Sequence, residues 1–479
     1  MMKNMTLQDA LLAVHGTWYG AEEDLKKKIE SVVIDSRKVT DGTVFVAIPG
    51  EKVDGHDFIP QVLANGAICA ISEKKLDDTV SPYIKVDDTR AALRDLAEFY
   101  RSILDIKIVG ITGSVGKTST KEMIGSVLAE KFRVQKTAGN FNNEIGLPLT
   151  VFSIGEEHEI GILEMGISDF GEMSRLAKIA RPDIMVITNI GQCHLENLKT
   201  RDGILKAKTE CFDYLSDGAV AVLNGTDDKL LTVNMVQGKA PFYFGTKDEL
   251  DLATSFEAIA KQTTYAYADD ITTYGLLGSE CTIHMRGVNQ VATDVRVKIN
   301  VAGIHNVYNA CAAATVGLLC GMNAEEISRG ISNMEAIKGR GKQIKTDKYL
   351  LVDDTYNANP VSMKAELDML KESPGRKVAI LGDMFELGED EDRMHYDLGV
   401  YAADCCDVLI CIGELSENMA TGAAKTMEAC GVMLEEVHKF STREEFLEQK
   451  NSLLQEGDII LLKASHGMEF NLLLDELGK

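Results

Sequence analysis

Cations are in short supply along this chain. Lysine and arginine number 50 against 74 aspartates and glutamates, giving a formal net charge of −24. That balance argues against nucleic acid, whose binding rests on neutralising phosphates with basic side chains, and against an anionic membrane surface. An anionic ligand would have to be held by local lysines, arginines or bound metal. Long apolar runs are missing as well. The longest, residues 310–322, falls short of the ~20 residues needed to span a bilayer. The first residues lack the apolar core of a signal peptide. Ten cysteines form no CxxC pair, and Cys405 and Cys406 are adjacent. This suits neither a disulfide framework nor a zinc knuckle, so free thiols in a reducing cytoplasm are expected. Prolines number only eight, so domain boundaries must be read from pattern.

What is present is ordinary globular material, 45% hydrophobic and 26% charged, over 479 residues. The length suggests about three domains. Residues 1–102 form a first α/β unit, with β-like runs at 32–34, 44–48, 67–71 and 83–86 and a helix over 89–103. Residues 103–336 alternate apolar strands, at 106–111, 160–165, 184–188 and 220–223, with helical patterns. Such buried runs predict a mostly parallel sheet covered on both faces, with ligands at the carboxyl ends of its strands. A β-rich excursion is expected over 240–299 and a helix near 306–320. Residues 337–479 repeat the α/β rhythm, with strands at 349–352, 378–381, 408–411 and 459–462, as a doubly wound domain without a phosphate loop.

The densest motif is Gly110-Ile111-Thr112-Gly113-Ser114-Val115-Gly116-Lys117-Thr118-Ser119. A strand runs through a glycine-rich turn into a helix. Such a turn aims backbone N–H groups at a phosphate, the helix dipole favours the anion, and lysine and threonine serve the terminal phosphate and Mg²⁺. Isoleucine at 111 replaces the first glycine of the strict pattern.

Other candidates lie at the ends of the same strands. Glu164 is placed either to hold Mg²⁺ or to cap a helix or pair with a cation. His194, after the strand near 184–188, reads equally as structural or functional. Lys206 and Lys208 read by spacing as solvated helix lysines. His305 and Asn309 share a helix face; the amide suits an adenine edge or a polar cap on a buried helix. Asp353 and Asp354 precede Asn357, Asn359 and a helix, and would hold ribose hydroxyls or cap that helix. Arg340, between two glycines, is free to swing onto a phosphate.

Together these segments resemble the Mur ligase family of ATP-dependent amide ligases along the whole chain. The resemblance rests on the TGSxGKT-like loop, Gly139-Asn140-Phe141-Asn142-Asn143-Glu144-Ile145-Gly146-Leu147-Pro148, Glu164-Met165-Gly166, the segment from Asn189 to His194, and His305-Asn306 with Asn309. Asp35-Ser36-Arg37 and the stretch from Gly50 to His56 resemble the family's uridine-nucleotide domain. Asp354-Thr355-Tyr356-Asn357-Ala358-Asn359-Pro360 and Leu381-Gly382-Asp383-Met384-Phe385-Glu386-Leu387-Gly388 favour the branch that adds D-alanyl-D-alanine to UDP-N-acetylmuramoyl-tripeptide. Three positions depart from the common pattern: Val115, often asparagine; Thr209, often glycine; and Lys463-Ala464-Ser465-His466, usually Lys-Gly-Ser-Arg.

The resemblance implies roles. Lys117 and the amides of Gly113, Ser114, Val115, Gly116, Thr118 and Ser119 would bind the ATP phosphates. Thr118 and Glu164 would hold one Mg²⁺ and His194 would help with a second. Lys208, with Lys206 as its rival, aligns with a lysine that is N-carbamylated in relatives and would then serve the metal. Asn309 would read adenine, Asp354 ribose, and Arg340 the γ-phosphate. Ser36, Arg37 and His56 would lie near the UDP, and Asn140 and Asn143 near the muramoyl or phosphate groups. Asn357, Asn359 and Lys463 would contact substrate. The expectation is a monomeric cytoplasmic enzyme of peptidoglycan precursor synthesis. The alternatives are a tripeptide-forming Mur ligase, a folylpolyglutamate synthase-like enzyme, a generic kinase or ATPase, or a nucleotide-switched scaffold that binds muramyl precursors without turnover.

Overall fold

The computed structural model describes residue 2 and residues 4–50, 52–191, 193–247, 265–286, 292–336, 339, 341–356, 358–385, 387–429 and 431–478. The chain divides into two compact units: residues 1–267, 285–293 and 311–330, and residues 268–284, 294–310 and 331–479.

The first unit opens with strands β1 (Thr17–Tyr19), β2 (Ser31–Val33), β3 (Thr43–Val46), β4 (Ala67–Ser72) and β5 (Tyr83–Lys85). They form a sheet in the order β1-β5-β4-β3-β2. Only β1 runs antiparallel to its neighbour. Helix α1 (Thr89–Ile103) follows, capped by Asp88, whose carboxylate accepts the Arg90 and Ala91 amides. Its apolar stripe buries Leu93, Leu96, Ala97 and Tyr100. Tyr100 donates its hydroxyl to Ile154 O at 2.6 Å, and the Arg101 guanidinium donates to Ala180 O at 3.0 Å. The expected boundary near 103 therefore falls at the end of a helix seated in a core shared with the following strands.

Those strands are β6 (Lys107–Thr112), β7 (Val134–Lys136), β8 (Ile160–Glu164), β9 (Ile184–Ile187), β10 (Val220–Asn224) and β11 (Phe242–Thr246). They lie in the order β11-β10-β9-β6-β8-β7, all parallel, as the apolar runs predict. Parallel strands buried on both faces need no polar alternation, and β8 and β9 are buried at every residue. Gly110 in the middle of β6 is a packing glycine. A Cβ there would sit 2.8 Å from Met165 Cε and from Pro182 Cγ. Helix α2 (Lys117–Ala129) follows the glycine-rich turn, and α3 (Arg201–Thr209) lies between β9 and β10.

In the second unit, parts of β12 (Tyr265–Thr273), β13 (Ser279–Arg286) and β14 (Ala292–Ile299) make up the β-rich excursion, and helix α4 (His305–Leu319) begins there. Strands β15 (Lys342–Lys345), β16 (Leu350–Asp354), β17 (Lys377–Gly382), β18 (Val408–Ile412), β19 (Glu436–Phe440) and β20 (Ile459–Lys463) form a sheet in the order β15-β16-β20-β17-β18-β19. Only β15 is antiparallel to its neighbour. Helix α5 (Pro360–Lys371) starts with a capping box in which Asn359 Oδ1 accepts the Ser362 amide at 2.9 Å. Leu276 and Ala302 join the core beneath this sheet, so the excursion packs with the third expected region. The nine described cysteines are all free thiols. Among the described residues no helix is long and apolar enough to cross a membrane.

Candidate active site

Strand β6 ends at Thr112, and α2 begins at Lys117 behind Gly116, whose φ is +81°. No side chain caps this helix, so its first N–H groups are left for a ligand. The turn is pinned from β9. Thr188 Oγ1 donates to Val115 O at 2.6 Å, and Asn189 Oδ1 accepts the Val115 amide at 3.0 Å. A Cβ on Gly113 would overlap Thr188 Oγ1, so the glycine permits this close approach. Lys117 Nζ donates to Gly113 O at 2.9 Å, at the mouth of the turn.

Glu164 ends β8 and is 1% exposed. Its Oε1 accepts from Thr118 Oγ1 at 3.2 Å and from Asn142 Nδ2 at 2.8 Å, while its Oε2 has no hydrogen-bond partner. A buried carboxylate beside a helix-start hydroxyl is a hard oxygen set that fits Mg²⁺ shared with nucleotide phosphates. Among the described residues no cluster of three His, Cys, Asp or Glu side chains could hold a metal without such help.

Beside these groups lies a cleft of about 450 Å³. Lys117, His194, Arg90, Asn142, Asn143 and Ser168 are among its lining residues. His194 adopts a φ of +52°, uncommon outside glycine and a pointer to a constrained site. Its carbonyl accepts the Leu198 amide at 2.9 Å, opening a short helix. Lys206 and Lys208 part company on α3: Lys206 is exposed and Lys208 is 1% exposed. Burial, then the nearby Lys117 charge, pushes the Lys208 ammonium down to about 8.

Several predicted residues carry local structure. Asn143 Oδ1 accepts the Ile145 and Gly146 amides at 3.1 and 2.8 Å, while Asn140 is exposed. Arg37 chelates Asp35 through Nε and Nη2, and together with the Arg37 amide holds that carboxyl down to about 2. Ser36 begins the same short turn. His56 is buried, its Nδ1 2.6 Å from Asp54 Oδ1, and its Nε2 accepts the Glu73 amide at 3.2 Å. Both ring nitrogens are thus engaged within the protein.

In the second unit, Asn309 on α4 is buried and donates to Asn306 Oδ1 at 2.9 Å. Asp354 and Lys463 are register partners on β16 and β20 and form a buried ion pair. Asp353 accepts the Gly339 amide at 2.9 Å. Arg340 and Asn357 lie outside the described residues. Asn142, Arg90 and Glu366 are additions that the sequence patterns do not single out. Glu366 Oε2, on α5, has no hydrogen-bond partner, and burial followed by the Asp354 charge pushes its carboxyl up to about 8.

Comparison with known proteins gives the family of the chain. Models of the Mur ligase family catalytic domain, the Mur ligase middle domain and the Mur ligase glutamate ligase domain match residues 28–101, 111–317 and 339–466. A UDP-N-acetylmuramoyl-tripeptide–D-alanyl-D-alanine ligase of Bacillus subtilis is 35% identical, over 94% of this chain and 93% of the relative. The chain belongs to the Mur ligase family. An Escherichia coli ligase of the same description is 32% identical, over 88% of this chain and 89% of its own. This Mur ligase also resembles a crystal structure of MurF from Acinetobacter baumannii, with a TM-score of 0.83 and 30% identity over 99% of both chains. The MurF ligase of Thermotoga maritima in complex with ADP aligns with a TM-score of 0.71 and 28% identity, over 94% of this chain and 97% of that one. The ligase thus has the three-domain α/β fold of its family.

Proposed function

We propose that this ligase joins D-alanyl-D-alanine to UDP-N-acetylmuramoyl-tripeptide with ATP, giving UDP-N-acetylmuramoyl-pentapeptide, ADP and phosphate. The observation that carries the reading is the sharing of Lys117 and Asn142 between the glycine-turn site and the adjoining cleft. A phosphoryl donor on the turn and an acceptor carboxylate in the cleft would meet there.

The chemistry follows from the acceptor. A carboxylate is a poor acyl donor at neutral pH. Its oxygen attacks the γ-phosphorus of ATP, the bond to ADP breaks, and an acyl phosphate forms. The dipeptide amine then attacks the acyl carbon, loses a proton and expels phosphate. The free N–H groups of α2 and the Lys117 ammonium hold the phosphates and neutralise developing charge. Thr118 and Glu164 would hold Mg²⁺, which when bound spreads the charge of the transferring group. His194 is read as serving a second ion. Lys208, buried and with its pKa lowered to about 8, reaches the neutral amine that attack on CO₂ requires at a lower pH than an ordinary lysine, and its carbamate would add a ligand-like carboxylate.

Asn309 is read as meeting adenine, Asp354 the ribose and Arg340 the γ-phosphate. Ser36, Arg37 and His56 are read as lying toward the uridine nucleotide, with Asn140 and Asn143 toward the muramoyl end. Asn357, Asn359 and Lys463 are assigned to substrate. The domain limits proposed are 1–102, 103–336 and 337–479. A monomer working in the cytoplasm, where nucleotide-linked precursors are made, completes the reading.

Isotope transfer tests it. With the acceptor carboxylate labelled with ¹⁸O, the released phosphate should carry one ¹⁸O, and only when D-alanyl-D-alanine is present and consumed. Unlabelled phosphate from a folded, nucleotide-binding enzyme would overturn it.

A further inference from the structure

A second lysine on α2 lies within reach of Glu164, and the reading above gives it no part. Lys121 is 1% exposed. Its Nζ donates to Thr137 O at 2.7 Å and reaches Gly139 O at 3.4 Å. It stands 3.6 Å from Glu164 Oε2 and 3.1 Å from Glu122 Oε1. Glu122 has a cation of its own in Lys136. A buried ammonium is costly unless it is paired and hydrogen-bonded, and Lys121 is both.

The consequence falls on Glu164. One carboxylate oxygen leans on a resident cation, while the other meets Thr118 and Asn142. The same lysine grips the residue that grips the Glu164 backbone: Thr137 O accepts from Lys121, and Thr137 Oγ1 accepts the Glu164 amide at 3.0 Å. Beyond Gly139 the chain leads to Asn142 and Asn143 at the cleft.

We propose that Lys121 is a positioning residue for the divalent cation, holding Glu164 so that Oε1 alone is offered to the metal and tying that carboxylate to the segment that enters the acceptor cleft. The proposal rests on the reading of Glu164 as a Mg²⁺ ligand. Partners one step removed from a metal characteristically change its affinity about 10–100-fold when removed.

The test is calorimetric binding of ADP across a Mg²⁺ titration, beside thermal unfolding, for Lys121→Met, Lys121→Gln and Glu164→Gln. In both Lys121 variants the Mg²⁺ concentration giving half of the affinity gain should rise about tenfold, with ADP affinity in chelator unchanged. A folded Lys121 variant with wild-type Mg²⁺ dependence, while Glu164→Gln shifts it, overturns the role of Lys121 alone. No shift in Glu164→Gln overturns the metal reading beneath it. If Lys121→Met fails to fold, Lys121→Gln decides. Loss of fold in both makes Lys121 a core residue with no separable effect on Glu164, and the proposal falls.

Discussion

Thr118 Oγ1 donates to Glu164 Oε1 across 3.2 Å, joining the first turn of α2 to the carboxyl end of β8. Two elements far apart in sequence thus present one oxygen pair. Thr118→Ala should lower kcat for phosphate release about 10–100-fold through weakened metal placement. Glu164→Gln should cost about 1000-fold if charge at this point stabilises the transferring group. Steady-state phosphate release across Mg²⁺ concentrations checks both. Near wild-type rates for Glu164→Gln would contradict the assignment.

Lys208 should react with CO₂ at a pH where ordinary lysines do not. Its pKa is lowered to about 8, so the neutral amine accumulates as pH rises through that value rather than through 10.5. Enzyme stripped of CO₂ should lose activity and regain it with bicarbonate, and Lys208→Ala should not respond. Intact-mass or ¹³C NMR detection of the carbamate provides the check. Equal activity with and without CO₂ would remove Lys208 from this role.

Glu366 should make the protein less stable as pH rises. Its folded pKa of about 8 lies above the ordinary 4.5, so the folded state binds more protons than the unfolded chain between those values. The stabilisation is fully present below 4.5 and lost as pH climbs through about 8. Glu366→Gln should flatten that part of the pH–stability curve, read by denaturant midpoints at constant salt. The neighbouring pair behaves differently: Lys463→Met leaves Asp354 buried without its cation and should cost about 3 kcal/mol.

Gly110 should tolerate no side chain. Gly110→Ala drives a Cβ against Met165, Pro182 and Met185, an overpacking that costs about 1–3 kcal/mol. A lowered denaturant midpoint with an unchanged m-value is expected.

Much of this was legible in the chain because the informative residues are contiguous. The turn from Gly113 to Thr118 and the strand end at Glu164 announce themselves locally, as do the long apolar strands of both parallel sheets. Four short strands at sheet edges did not. β1, β7, β15 and β19 have three to five residues, none fully buried, and so lack the apolar run that marks a central strand. Burial also decides what spacing cannot: Lys206 and Lys208 look alike in sequence and differ only in where α3 turns them. Asn142 sits in an asparagine run with Asn140 and Asn143 and has no local mark of its own, and only the fold of the 139–146 segment brings its amide to Glu164. The Asp354–Lys463 pair needs β16 beside β20, a pairing across more than a hundred residues that no local pattern contains.

The most direct test of the account is turnover with ATP, Mg²⁺ and UDP-N-acetylmuramoyl-tripeptide, with and without D-alanyl-D-alanine, following phosphate and product mass. The account predicts phosphate release that depends on the dipeptide and matches formation of UDP-N-acetylmuramoyl-pentapeptide mole for mole. Folded, nucleotide-binding enzyme that forms no pentapeptide from either the lysine- or the diaminopimelate-containing tripeptide would contradict it.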